Sequence, residues 1–281
     1  MVTAVVFAYH DVGARCLRVL LDAGVAVPLV VTHADDPHER IWFASVAELA
    51  RSRRIPTLED PDPAQLLDAV RKANPDFIFS FYYRRMLPEA VLKLARRGAF
   101  NMHGSLLPRY RGRAPVNWAV LHGESETGAT LHEMTAKPDA GRIVDQQTVP
   151  IGPDDTAAEV FARVTDAAEA VLKRSLKGVV DGSAPLRAND LSHGSYFGGR
   201  RPEDGRIDWR KSAREIHNLV RAVAPPYPGA FCDRLWVFRT RIENREAPAG
   251  CPLGPFQEKG EWFALCGDGK VLRLLDVREK Q

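Results

Sequence analysis

DFIFSFYY, residues 76–83, places Phe77, Ile78, Phe79 and Phe81 almost without interruption. A strand with one wet face alternates apolar and polar side chains. A strand covered on both faces does not, and short unbroken apolar runs are typical of parallel sheets. Two further runs are apolar, TAVVFAY (3–9) and AVPLVVT (26–32), and AFNMH (99–103) reads as a fourth, short strand. The intervals between them carry helical spacing instead. Leu17, Leu20 and Leu21 share one face of a helix over 12–23, and helical patterns recur around 43–52 and over 63–73. Strand and helix alternating in this way predict an α/β, Rossmann-like fold with a mainly parallel sheet.

Further along, TGATLHEM (127–134) and RIVDQQTVPI (142–151) read as a strand pair joined by a loop. Thr156 and Glu159 then form a capping box, and Val160, Phe161, Val164, Ala168, Val171 and Leu172 make the apolar stripe of the helix that follows. The character changes after Asp181. Residues 182–205 are rich in Gly, Ser, Pro and Arg, as in a linker or crossing loop. A second capping box, Ser212 with Glu215, opens a helix to about residue 223, where PPYPG stops it. The rest is strand-like: AFCDRLWVFRTRI (230–242), EWFALC (261–266) and KVLRLLDV (270–277), the last two split by the turn Gly267-Asp268-Gly269. The expected organisation is a catalytic domain over 1–190, a linker over 191–204 and a small β-rich, OB-like domain over 205–281.

The chain has 281 residues, 45% of them hydrophobic, and a formal net charge of +3. That is enough chain for a large core, and the charge is too modest for a protein that coats nucleic acid. A small anionic substrate fits it at least as well. The start, MVTAVVFAYHDVG, has no charged leader and no span long enough to cross a membrane. Cys16, Cys232, Cys251 and Cys266 form no C-x-x-C pair, so neither a zinc site nor a disulfide framework is indicated. A reducing, cytoplasmic compartment is the expectation.

In an open α/β sheet, ligands bind beyond the carboxyl ends of the strands. The run AFNMHGSLLPRYRGRAPVNWA, residues 99–119, puts Asn101 and His103 at such an end, two apart and therefore on one side. An amide N–H can stabilise an oxyanion, and an imidazole can move a proton near neutral pH. Asp139, in TAKPDAGRIVDQ (135–146), is the candidate to orient the imidazole and stabilise its charged form. Each piece also has an ordinary reading. Asn-x-His fits a turn, the loop arginines fit a solvated face, and Asp before a Gly-containing turn is common turn chemistry. Arg200, Arg201, Asn218 and Arg221 could hold a diphosphate, with Ser105 of the loop as a further substrate contact. HNLVRA, which holds Asn218 and Arg221, reads equally as an amphipathic helix. His10 reads as a structural histidine after the first strand, and His132 as one packed against the sheet. His33, His38, His122, His193 and His217 have no partner readable from sequence. Tyr82 and Tyr83 fit a core role as well as stacking on a ligand.

FNMHGSLLPRYRGRAP followed by DAGRIVDQ closely resembles the folate-dependent formyltransferase family. The likeness covers nearly the whole chain. VVFAYHDVG, FSFYYRRMLP and FGGRRPEDGRIDW are similar to the branch acting on UDP-4-amino-4-deoxy-L-arabinose, the formyltransferase domain of a bifunctional polymyxin-resistance enzyme of lipid A modification. The resemblance implies 10-formyltetrahydrofolate as formyl donor and no metal. It implies His103 as the proton-transfer residue, Asn101 as the oxyanion donor and Asp139 as the group holding His103. It implies donor contacts from Arg85, Met86, Leu87, Arg113, Thr135, Ala136, Lys137, Pro138 and Asp139. The partners implied are a folate and a nucleotide sugar, with no nucleic acid and no membrane insertion. Two other activities share the three central residues: methionyl-tRNA formyltransferase, whose loop usually reads RGAAP where this chain has RGRAP, and a hydrolase that deformylates the donor with water.

Overall fold

The computed structural model describes residues 1–37 and 41–280. Strands and helices alternate over the first hundred residues: β1 (Thr3–Ala8), α1 (His10–Asp22), β2 (Ala26–Thr32), α2 (Val46–Ser52), β3 (Thr57–Glu59), α3 (Pro63–Ala73), β4 (Phe77–Phe81), the short α4 (Glu89–Leu92) and β5 (Gly98–His103). They are followed by β6 (Arg111–Gly112), α5 (Pro115–Leu121), β7 (Glu126–Glu133), β8 (Ile143–Pro150) and α6 (Ala157–Asp181). The strand order in the large sheet is β3-β2-β1-β4-β5-β7-β8. The contacts from β3 to β5 are parallel, and β7 runs antiparallel to β5. Every residue of β4 is buried, the condition its unbroken apolar run requires. Phe79 lies 5.7 Å from Phe81 and 5.9 Å from Phe100 between ring centroids, and Val5, Phe7, Leu29, Val31 and Ile78 share a core cluster with Leu66 and Val70 of α3.

The helix ends follow local chemistry. Asp62 accepts the amides of Ala64 and Gln65 and Pro63 opens α3, where a missing N–H costs nothing. The Thr156–Glu159 box forms as read, with Thr156 N–H donating to Glu159 at 2.7 Å, and the six stripe residues of α6 are buried. α1 begins two residues earlier than its apolar spacing suggests. His10 takes a left-handed φ of 67° there and stacks on Phe43 at 3.9 Å. Phe43 itself lies ahead of α2.

By contact density the chain forms two compact units. One comprises Met1–Gly112, Gly128–Val149 and Arg163–Tyr196; the other comprises Arg113–Thr127, Pro150–Ala162 and the chain from Phe197 onward. β9 (Tyr196–Phe197) pairs with β6. The second unit contains α7 (Ala213–Val223) and the antiparallel strands β10 (Ala230–Phe231), β11 (Leu235–Glu243), β12 (Gly254–Glu258), β13 (Glu261–Leu265) and β14 (Val271–Glu279), ordered β10-β11-β14-β13-β12. Its core joins Ile216 and Val220 of α7 to Leu235, Val237, Ala264 and Leu272 of the sheet. The strand-like stretch 230–242 forms two strands. A tight turn, closed by Cys232 N–H to Leu235 O at 2.9 Å, divides it into β10 and β11. The Ser212–Glu215 box caps α7 as expected.

Candidate active site

β5 ends at His103, and β7 pairs with it so that Asn101 lies opposite His132 and His103 opposite Thr130. Residues two apart on β5 face one side, and the register brings His132 to that same place. His132 Nδ1 lies 2.7 Å from the carbonyl of Glu133. A carbonyl only accepts, so Nδ1 carries a hydrogen. Asn101 Nδ2 lies 3.2 Å from His132 Nε2. His103 is tied in the same way, its Nε2–H donating to the carbonyl of Tyr110 at 2.8 Å. Its free nitrogen, Nδ1, lies 3.6 Å from Asp139 Oδ1.

Asp139 is the common neighbour of all three. Its Oδ1 is 3.4 Å from Asn101 Nδ2 and 3.4 Å from His132 Nε2, and its Oδ2 accepts the Gly112 N–H at 2.9 Å. Burial works against the carboxylate charge. The charge of His103, the hydrogen bond and charge of His132, and the Gly112 amide outweigh it, and the carboxyl is held well below the usual carboxylate range. The structure therefore places a fixed negative charge beside two imidazoles whose outer nitrogens are already committed to carbonyls.

The loop between β5 and β6 is rigid because it is pinned along its length. Leu107 N–H donates to Thr130 Oγ1, Gln146 Nε2 donates to Leu107 O, and Ser195 Oγ accepts the Tyr110 amide at 2.8 Å. Ser105 is fully buried, with its hydroxyl donating to Arg109 O at 2.7 Å.

The remaining predicted residues are dispersed. After β4, Arg85 pairs with Asp60 at 2.8 Å, Met86 is exposed and Leu87 is buried in the core. Thr135, Ala136 and Lys137 are exposed, and Pro138 is half-buried next to Asp139. In the second unit Arg113 and Arg201 are exposed, while the Arg200 guanidinium lies over Trp118 at 4.8 Å and donates to Asp204 O. Asn218 and Arg221 are buried. Arg221 donates to Asn218 Oδ1 and to the carbonyls of Gly152 and Asp155, so these two are engaged inside their own unit instead of presenting a diphosphate clamp.

His132 is the residue that sequence reasoning missed, for it lies among the site residues as well as packing in the sheet. Other histidines acquire partners. His33 Nδ1–H donates to Asp60 while Nε2 accepts the Arg84 amide, and its ring stacks on Tyr83 at 4.2 Å. Burial, then the nearby Arg85 and Arg84, lower its pKa despite Asp60. His217 bridges Thr240 and Pro153 O, His193 pairs with Asp190, and His122 packs on Trp118 and Phe197. His38 lies outside the described residues.

Two family models match, one described as formyl transferase over residues 17–176 and one as formyl transferase, C-terminal domain, over residues 200–281. The chain belongs to the formyl transferase family. Solved structures share the fold at low identity. An N-formyltransferase from Helicobacter canadensis, in complex with folinic acid and dTDP-3-aminofucose, matches with a TM-score of 0.78 and 19% identity over 100% of both chains. A sugar N-formyltransferase from Shewanella sp. matches with a TM-score of 0.65 and 18% identity over 82% of this chain and 91% of its own. HypX from Aquifex aeolicus, in complex with tetrahydrofolic acid, matches with a TM-score of 0.66 and 19% identity over 99% of this chain and 44% of its own. Asn101, His103, His132 and Asp139 of this formyl transferase all lie within the first matched region.

Proposed function

We propose that this formyl transferase moves a formyl group from 10-formyltetrahydrofolate to the amine of a nucleotide-linked amino sugar, with the 4-amino group of UDP-4-amino-4-deoxy-L-arabinose as acceptor. The observation that carries the proposal is the meeting of Asn101, His103 and Asp139 at the end of β5, with Asp139 Oδ1 3.4 Å from the amide and 3.6 Å from the imidazole. The amine nitrogen attacks the formyl carbon while the Asn101 N–H donates to the oxygen as it becomes negative. His103 takes the proton that the amine loses, at the nitrogen facing Asp139, and returns it to the departing folate nitrogen as the old carbon–nitrogen bond breaks. Asp139 stabilises the imidazolium in between and is not itself protonated.

The folate donor supplies the activated formyl group. The residues fit it in kind. The loop after β4 exposes Arg84, Arg85 and Met86, and the exposed 135–137 segment leads directly into Asp139. Arg85–Leu87, Thr135–Asp139 and Arg113 are its proposed contacts, and Arg200 and Arg201 the proposed contacts of the nucleotide diphosphate. Ser105, Asn218 and Arg221 serve instead as internal braces, since their polar groups are bonded within their units. RGRAP and VNWAV, together with two neighbours whose descriptions name sugar or dTDP-sugar chemistry, support the sugar acceptor over methionyl-tRNA. We further place the activity in the cytoplasm. All four cysteines are unpaired, and among the described residues no helix is long and apolar enough to cross a membrane.

The test is incubation with 10-formyltetrahydrofolate and, separately, UDP-4-amino-arabinose, a dTDP-4-amino-6-deoxyhexose and methionyl-tRNA, with products read by mass spectrometry. Formylated UDP-sugar is expected. Formylation of the dTDP-sugar or the tRNA alone overturns the acceptor, and free formate released without any amine overturns the transfer.

A further inference from the structure

The segment from Arg187 to Ser195 runs past the site and is bonded to it at three places. At one end, Arg187 and Ile143 exchange both backbone hydrogen bonds at 2.8 Å, which anchors the segment to the start of β8. At the other end, Ser195 accepts the Tyr110 amide on its hydroxyl and the Arg111 amide on its carbonyl. A Cβ on Gly194 would lie 2.6 Å from Pro108 O, so the contact with the loop after β5 is close. Between these ends stands Asn189, whose Nδ2 donates to the carbonyls of both Asp139 and Gly141 at 3.1 Å.

Those two carbonyls flank the turn that aims the catalytic carboxylate. Asp139 adopts a left-handed φ of 48°, a conformation that only a few non-glycine residues take and that needs external support. Gly141 sits so close to β7 that a Cβ there would lie 2.0 Å from Glu133 O. Asn189 supplies the support with both hydrogens of one amide. Its Oδ1, meanwhile, is sealed from solvent and finds no donor among the described residues. A buried acceptor left unmet is destabilising, and the two donated bonds are what offset it here.

We propose that Asn189 is a positioning residue for Asp139, clamping the 139–141 turn so that the carboxylate stays between His103, His132 and the Gly112 amide. The inference rests on the catalytic reading of Asp139 given above. Asn189 touches none of the reacting groups and acts only through the turn.

The test has one readout that needs no activity and one that does. The Gly112 amide, bonded to Asp139 Oδ2, reports where the carboxylate is, so its hydrogen exchange is followed by NMR in the whole protein. In Asn189→Ala the Gly112 amide is expected to exchange about tenfold faster or more, while amides of β1 and β4 keep their protection. Asn189→Asp, which keeps the shape and removes the donors, is expected to behave alike. In turnover, Asn189→Ala is expected to lower kcat by about tenfold with the KM for the amino sugar unchanged, and to change it by less than about twofold when Asp139 is already asparagine. Unchanged Gly112 exchange in either variant overturns the proposal, as do losses that multiply in the double variant. If the protein transfers no formyl group at all, the catalytic reading fails, and the exchange measurement still decides whether Asn189 holds the turn.

Discussion

Replacing Asp139 with asparagine removes one charge and almost no volume. The carboxylate lies 3.6 Å from His103 Nδ1, and the two side chains are only 12% and 7% exposed. At that separation and an effective dielectric of about 20, attraction between carboxylate and imidazolium is at most about 4–5 kcal/mol. If all of it acts on the step in which His103 carries the proton, the loss corresponds to about three powers of ten in kcat. The asparagine also turns an N–H₂ or a neutral oxygen toward Gly112, which now donates to the charged Oδ2 at 2.9 Å. Turnover of donor and amino sugar, measured at saturating levels of both, checks the rate. Stability gives a second measure with a defined sign. The Asp139 pKa is depressed in the fold, so its contribution is present above the ordinary carboxylate value and is lost as pH falls through the folded one. The gap in urea midpoint between wild type and Asp139→Asn should therefore narrow in acid. A folded Asp139→Asn protein that keeps more than about a tenth of wild-type kcat would refute the reasoning.

Asn101→Ala removes the donor opposite His132 and should lower kcat by about a hundredfold or more, with the thermal midpoint little changed; full activity would contradict the oxyanion role. His132→Gln leaves Asn101 and Asp139 without their shared imidazole neighbour and should cost about ten- to a hundredfold in kcat with KM preserved, measured in the same assay. Gly141→Ala drives a methyl into Glu133 O and should destabilise the protein by about 2 kcal/mol or more in urea unfolding. Burial of His10, aided by the Arg84 charge, pushes its pKa down to about 3. The unfolded chain then takes the proton first, so stability should fall as pH drops below about 6.5. His10→Asn, which tolerates the left-handed backbone, should make that slope shallower, and a slope equal to wild type counts against the assignment.

The parallel half of the large sheet was legible because β1, β2 and β4 read as nearly unbroken apolar runs, and β1 and β4 are buried almost throughout. The two capping boxes were legible for a related reason: their chemistry is complete within four residues. β3 was missed because three residues, Thr57–Glu59, are too few to carry a period. β12 was missed because Gly254 and Pro255 open it like a turn, yet on an edge strand a proline forfeits no ladder bond that the sheet needs.

The site divides along the same line. Asn101, His103 and Asp139 stood out through local spacing and through resemblance. His132 looked like any inward residue of an alternating strand, because only the β5–β7 register places it opposite Asn101. Asn189 sits in a stretch whose composition says loop, and its role exists only once Asp139 and Gly141 are beside it. Asn218 and Arg221 show the converse. Their spacing of three suits a ligand clamp and an internal pair equally, and the carbonyls of 152 and 155 that decide between these are more than sixty residues away.

Formyl transfer itself tests the account most directly. Wild type and His103→Ala, both shown to be folded, are given 10-formyltetrahydrofolate labelled in the formyl carbon together with UDP-4-amino-arabinose, and the label is followed into the sugar. The account predicts labelled N-formyl sugar from wild type and a loss of at least about a hundredfold in the variant. Equal labelling by both proteins would contradict it, because His103 would then carry no proton in the reaction.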